Sequence, residues 1–221
     1  MKKRSLLSNS AVVAIAFMCA PVHATVIDFT NSAPWSAANG LASYTNSGVT
    51  LSSSATLLGF PTPTQLTFNA GACGNTSVGL ACAGQGIGIN RTIVTSALLD
   101  QNDEIDFAEI LRVGFSTPSD IIRLEFLKVF AGLLPEAMQV RVNGAGPWIS
   151  LSPSTSAAGG YFDSGFSAFG VSTLDIRAAG ILSNNPASDG SLARITIPVP
   201  ASAALLALGL LGIAALRKRI V

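Results

Sequence analysis

Between Thr25 and Thr196 the chain alternates apolar and polar residues with a period of two and carries no sustained helical stripe. Alternation of that kind sends one set of side chains to a core and the other to solvent, as half-buried strands require. "TVIDFTN" and "GVTLSSS" read as short opening strands, and "EILRVGFST" as a longer one with Leu111, Val113 and Phe115 on a common face. Pro118 is expected to interrupt it, because proline donates no ladder hydrogen bond. After the interruption, "DIIRLEFLKVF" places Ile122, Leu124 and Phe126 on one face and Arg123, Glu125 and Leu127 on the other. A helix over "DIIRLEFLKVFAGLL", capped by Asp120, is the alternative reading of the same residues. "AMQVRVNGAGPWISLS" predicts a hairpin with Met138, Val140 and Val142 inward and Asn143-Gly144 as its tight turn.

The remaining body is read in the same way. From Thr62 to Gly88 the Gly-, Ser- and Thr-rich sequence predicts a loop holding one strand, and "SPSTSAAGGYFDSG" predicts a second loop. "FSAFGVSTLDIRAAG" and "GSLARITI" close the domain as strands. Eight or more short strands joined by Gly, Ser and Pro predict an all-β domain, a β-sandwich, with a jelly-roll order preferred.

Both ends break this pattern. "MKKRS" is a basic n-region, "AVVAIAFMCA" an apolar stretch too short to span a membrane, and "VHA" a small-x-small cleavage site. Residues 1–24 are therefore expected to be a secretory signal peptide cut between Ala24 and Thr25, handled by the Sec export machinery. At the other end, Ala201 to Leu216 holds no charge, Asn or Gln and precedes Arg217, Lys218 and Arg219. As a helix it would reach about 24 Å, short of a hydrocarbon core of roughly 30 Å but extendable by Ile197–Pro200. It is expected to form a single C-terminal transmembrane helix. The basic residues would keep the terminus on the cytoplasmic side. The expected organisation is thus a signal peptide (1–24), an exported domain (25–196) and a membrane-seeking tail (197–221).

Charge and cysteines narrow the function. The stretch from Thr25 to Thr196 carries seven basic against twelve acidic side chains, a net charge of −5. That balance argues against nucleic acid as a partner, since phosphate binding needs basic density. Without residues 1–24 the chain has no histidine and two cysteines, Cys73 and Cys82. Ser–His and Cys–His catalysis and His-liganded zinc are then excluded. In an exported protein the two cysteines are expected to form a disulfide, contributing about 2–3 kcal/mol.

Two carboxylates suffice for glycoside hydrolysis, and Asp100, Asp103, Glu104, Asp106 and Glu109 would supply them. The same stretch alternates Asp100, Asn102, Glu104 and Asp106 as oxygen ligands of a structural calcium could. A solvated acidic loop is the plainer reading of these residues. Trp35, Trp148 and Tyr161 are candidates for stacking on sugars or for the core.

The tail also resembles a known signal. Pro198-Val199-Pro200, a short Ala/Leu/Gly-rich span and the closing cluster Arg217, Lys218 and Arg219 are similar to the PEP-CTERM sorting signal. Val199 stands where that motif has Glu, and "IPVPA" resembles the VPLPA-type variant instead. The resemblance implies transient anchoring in the inner membrane of a Gram-negative bacterium and processing by an exosortase-type membrane protease. It further implies delivery to the cell surface or an extracellular polysaccharide matrix. Together with the acidic body rich in small polar residues, this leads to the expectation of a non-enzymatic structural or adhesive role. Rival expectations are a secreted carbohydrate-binding or carbohydrate-active β-sandwich, and a permanently anchored periplasmic protein.

Overall fold

The structure, a computed structural model, describes residues 24–57, 59–68, 71–74, 78–91, 104–106, 108–132, 135–179 and 188–198. The expected signal peptide up to His23, the tail from Val199 onward, and Asp100 and Asn102 of the expected calcium set lie outside the described residues. The strands are β1 (Thr25–Asp28), β2 (Ser43–Asn46), β3 (Val49–Leu57), β4 (Phe60–Thr62), β5 (Thr64–Phe68), β6 (Ile87–Arg91) and β7 (Glu109–Ile121). They continue with β8 (Arg123–Leu127), β9 (Met138–Val142), β10 (Ile149–Leu151), β11 (Phe162–Asp163), β12 (Ala168–Ala178) and β13 (Ser191–Ile197). Among the described residues a single-turn α-helix, Ser32–Trp35, is capped by the Asn31 side chain, and no helix is long and apolar enough to cross a membrane.

The fold is all-β, built from two antiparallel sheets. One runs β11-β8-β13-β6-β5, with β1 also paired to β13; the other runs β10-β9-β12-β7-β3-β2, with β4 on β3. Their inward residues meet in a shared apolar core that includes Leu51, Leu66, Ile89, Leu111, Val113, Leu124, Phe126, Val140, Leu174 and Ile195. The period-two pattern explains this directly. In β7, β9 and β12 every second residue enters the core while Arg112, Arg141, Asp175 and Arg177 take the opposite face. The Asn143-Gly144 turn forms as expected, with φ of 53° and 64° and a hydrogen bond from Ala145 N to Val142 O.

Four local expectations are corrected. β7 does not stop at Pro118. Its register with β12 shifts between Val171, opposite Ser119, and Thr173, opposite Gly114, so the proline sits in a bulge that needs no ladder donor. Ile122 is not inward: it occupies the corner where the chain crosses between sheets and is 47% exposed, while Ile121 is buried in its place. The helix alternative fails as well, because Arg123–Leu127 is a strand paired on both sides, with β11 and β13. Within 62–88 the expected strand is β5, but Ile87 opens a further one, β6.

The six-stranded sheet is covered on its outside as well. Cys73 and Cys82 form a disulfide, their Cα atoms 5.2 Å apart. Cys73, Leu127 and Ala193 make a second small core, with Leu80, Cys82 and Tyr161 packed against it. The cysteine loop is pinned to the start of the domain: Ala81 N donates to Asp28 Oδ2 at 2.7 Å, and Cys82 N to Thr30 Oγ1 at 3.0 Å. A bulge at Ala193 puts Ala193 and Arg194 on the same outward side of β13. Arg194 there meets Glu125, fully buried, which also accepts from the Tyr161 hydroxyl.

The two ends of this body lie side by side. Thr25 is register-paired with Ile197, and Asp28 with Arg194, so β1 and β13 run antiparallel from one corner.

Candidate functional site

With one sheet roofed by the disulfide loop, the outer face of the other offers a broad exposed strand surface among the described residues. It is polar and ordered in rows. Thr45, Thr50, Gly114 and Thr173 are register partners across β2, β3, β7 and β12. The adjacent row is Ser43, Ser52, Arg112, Asp175 and Arg141, and beyond it Arg177, Gln139 and Ser150 are partners. Hydroxyls, an amide and three guanidiniums therefore stand on one plane, spaced by the pleat.

Asp175 organises the middle row. Its side chain is fully buried between two arginines. Arg112 donates to it through two nitrogens, at 2.6 and 3.1 Å, and Arg141 at 2.9 and 3.3 Å. Burial opposes ionisation of this carboxyl, but the hydrogen bonds from Arg112 and Arg141 outweigh it and hold its pKa below the ordinary aspartate range. Arg177 is the third cation. Its Nε donates to Gln139 Oε1 at 2.9 Å, and Gln139 in turn donates to Ser150 Oγ at 3.0 Å. No described carboxylate pairs with Arg177, and its pKa is lowered by burial and by the charge of Arg141.

Trp148 closes the group. The guanidinium carbons of Arg141 and Arg177 lie 4.6 and 4.0 Å from the centre of its ring. Both contacts are close enough for cation–π attraction, which offsets part of the repulsion between the two arginines. The half-buried ring comes from the "GPW" segment between β9 and β10, placed there by the Asn143-Gly144 turn.

The residues singled out by sequence take different places. Trp35 belongs to the core, 4.7 Å from the Phe29 ring and 6.1 Å from Tyr44. Tyr161 is held in the Glu125–Arg194 network. Only Trp148 of the three meets the open face. Ala24 and Thr25 lie at the start of β1, and Pro198 follows the end of β13.

Of the acidic stretch, Glu104, Asp106 and Glu109 are described. Glu109 Oε2 accepts from Asp106 N at 2.8 Å, a turn contact at the mouth of β7. Glu104 reaches Lys128 Nζ at 3.6 Å. Asp189 joins this end from the segment before β13, and its pKa is pushed up to about 8 by burial first and then by Glu104, Glu136 and Asp106. Among the described residues no three His, Cys, Asp or Glu side chains are grouped to hold a metal ion.

A cavity of about 370 Å³ opens between β1 and β7, lined by Val26, Trp35, Asn46, Phe115, Thr117 and Ile197 among others. Its one carboxylate, Asp28, is engaged by Thr30 and Ala81. No protein-family model, curated protein or solved structure matches this chain.

The arginine–tryptophan face was missed by sequence reasoning, which looked for acids and motifs. A signal for it does exist. "LRV", "VRV" and "LDIRA" set charges between apolar residues, and these three stretches mark one outer face once the strands are adjacent.

Proposed function

We propose that this chain is an exported, non-enzymatic protein of the cell surface or exopolysaccharide matrix. Residues 1–24 direct export, and residues 197–221 form a PEP-CTERM-like tail, transiently inserted in the inner membrane and removed by an exosortase-type protease. The body is a β-sandwich of jelly-roll-like order. Its support is the shared core of the two sheets and the repeated crossing between them at β7–β8, β8–β9 and β12–β13.

The observation that carries a binding rather than a catalytic role is the open polar face around Arg177 and Trp148. It presents hydroxyl, amide and guanidinium donors on a fixed plane, and the carboxylate described among them, Asp175, is engaged in ion pairs with Arg112 and Arg141. The same face favours the second reading, a secreted carbohydrate-binding module, which is compatible with residence in a matrix.

The test is fractionation of the native host followed by intact-mass measurement. A surface or matrix form beginning at Thr25 and lacking Arg217–Arg219 is expected. A membrane-bound form that retains those three residues rejects processing and leaves a permanently anchored protein.

A further inference from the structure

We infer that the outer face of the β9-β12-β7 strands binds an acidic polysaccharide, taking its carboxylate groups on Arg177, Arg141 and Arg112. The inference rests on the carbohydrate-binding reading above and adds the charge of the ligand.

Charge is the first ground. Asp175 pairs with two of the three guanidiniums, Arg112 and Arg141, and Arg177 stands beside them, so the cluster keeps a positive excess on a body whose net charge is −5. Segregating positive charge against the sign of the whole molecule attracts an anion locally and repels dense polyanions elsewhere. Geometry is the second ground. Arg177 spends its Nε on Gln139 and has no described carboxylate partner, which leaves its terminal nitrogens for a ligand. Trp148 holds Arg177 and Arg141 together against one ring, so two forks are fixed before any ligand arrives. Arg112, half-exposed on β7, extends the cationic row across the neighbouring strand.

The surroundings choose between anions. Rows of Ser and Thr hydroxyls at Ser43, Thr45, Ser52, Ser54, Ser150 and Thr173 flank the arginines, at exposed or half-buried positions. A uronate chain offers a carboxylate for the guanidiniums and many hydroxyls for these rows. A nucleic acid offers a denser charge that the acidic remainder of the body opposes. Trp148 serves here as a positioning residue for the two arginines.

Isothermal titration of the full-length protein against polygalacturonate, neutral dextran and duplex DNA tests this, at low and at raised salt. Binding of polygalacturonate alone is expected, weakening as salt rises. Arg177→Gln should lower that affinity about tenfold, as loss of a charge-assisted contact predicts. Arg177→Lys should restore part of it, and Arg123→Gln on the opposite sheet should leave it unchanged. Melting curves for each variant confirm that the fold is retained. Equal binding of dextran and polygalacturonate, unaffected by Arg177→Gln, overturns the charge inference while the glycan-binding reading stands. Binding of no polysaccharide overturns both. DNA bound as tightly as polygalacturonate, with the same loss in Arg177→Gln, overturns the choice of polysaccharide as partner.

Discussion

Glu125 and Arg194 face each other across β8 and β13 as a buried ion pair, held under the disulfide loop. Arg194 also donates to the Val78 carbonyl at 3.3 Å, so the pair ties the sheet to the loop that covers it. Removing Arg194 leaves a buried Glu125 with Tyr161 and the half-exposed Arg123 as its remaining partners, and removing Glu125 leaves a buried guanidinium on backbone carbonyls alone. Glu125→Gln or Arg194→Met should therefore cost about 3–5 kcal/mol in urea denaturation. The double variant Glu125→Leu/Arg194→Met should recover a large part of that loss. If each single change costs less than the double, the pair is not what binds loop to sheet.

The loop depends equally on two glycines. Gly159 and Gly160 have φ of 67° and 64°, and a Cβ on Gly160 would stand 2.7 Å from Lys128 Cα. Alanine there meets left-handed backbone strain and a backbone wall together. Gly160→Ala should destabilise by more than the roughly 1–2 kcal/mol that strain alone costs. Replacing Cys73 and Cys82 by serine should cost about 2–3 kcal/mol in the chain-entropy account. Thermal melts of both variants, with and without reductant, check the two figures.

Two aspartates should give the stability–pH curve opposite slopes. The Asp189 carboxyl is raised to about 8, chiefly by burial. Above the ordinary aspartate pKa near 4, the unfolded chain has lost this proton while the folded one keeps it. Stability from this group is thus complete below about pH 4 and falls as pH rises towards about 8. Asp175 is lowered instead: burial resists ionisation, but Arg112 and Arg141 prevail. Its contribution is present above the ordinary aspartate pKa and is lost as pH falls through the depressed one. Asp189→Asn should flatten the fall in stability between about pH 4 and about pH 8, and Asp175→Asn the loss at acid pH below the ordinary aspartate pKa. Denaturation series from pH 3 to 9 distinguish the two.

The pairing of β1 with β13 predicts where the folded unit can be trimmed. Phe29 N donates to Ala193 O at 2.9 Å immediately after β1, and Phe29 is fully buried. A chain of residues 24–198 should melt cooperatively. One that starts at Asn31 loses both the strand and a core aromatic, whose removal alone costs about 3–5 kcal/mol. Calorimetry of the two fragments, with the shorter one retaining the same transition, would show β1 to be dispensable.

Much of the fold could be read in advance because alternation is a local signal. Leu111, Val113, Val140 and Leu174 are inward for the reason their spacing gives. What escaped was decided by partners distant in sequence. Pro118 is tolerated because β12 slips its register opposite it, and Ala193 points outward because β13 bulges against β8. Ile122 is turned out by the crossing between sheets, which nothing in "DIIRLEF" announces. The site was less legible still. Arg112, Arg141 and Arg177 come from three strands, and only the order β9-β12-β7 makes them neighbours. The acids that drew attention in sequence are divided by the fold: Glu109 is spent on its own turn, and Glu104 and Asp106 gather at the domain end with Glu136 and Asp189.

The shared corner of Thr25 and Ile197 also sets how the body answers a pull. Because the paired strands leave the corner together, tension between the residues before β1 and those after β13 loads their ladder bonds in turn. Such a seam opens like a zip, at low force, starting from Thr25. A body tugged only through Pro198 meets a different arrangement, since β13 lies between β8 on one side and β1 and β6 on the other. Force entering by that route must shear an interior strand past its neighbours, so the same domain is mechanically soft across its two ends and stiff against its C-terminal side.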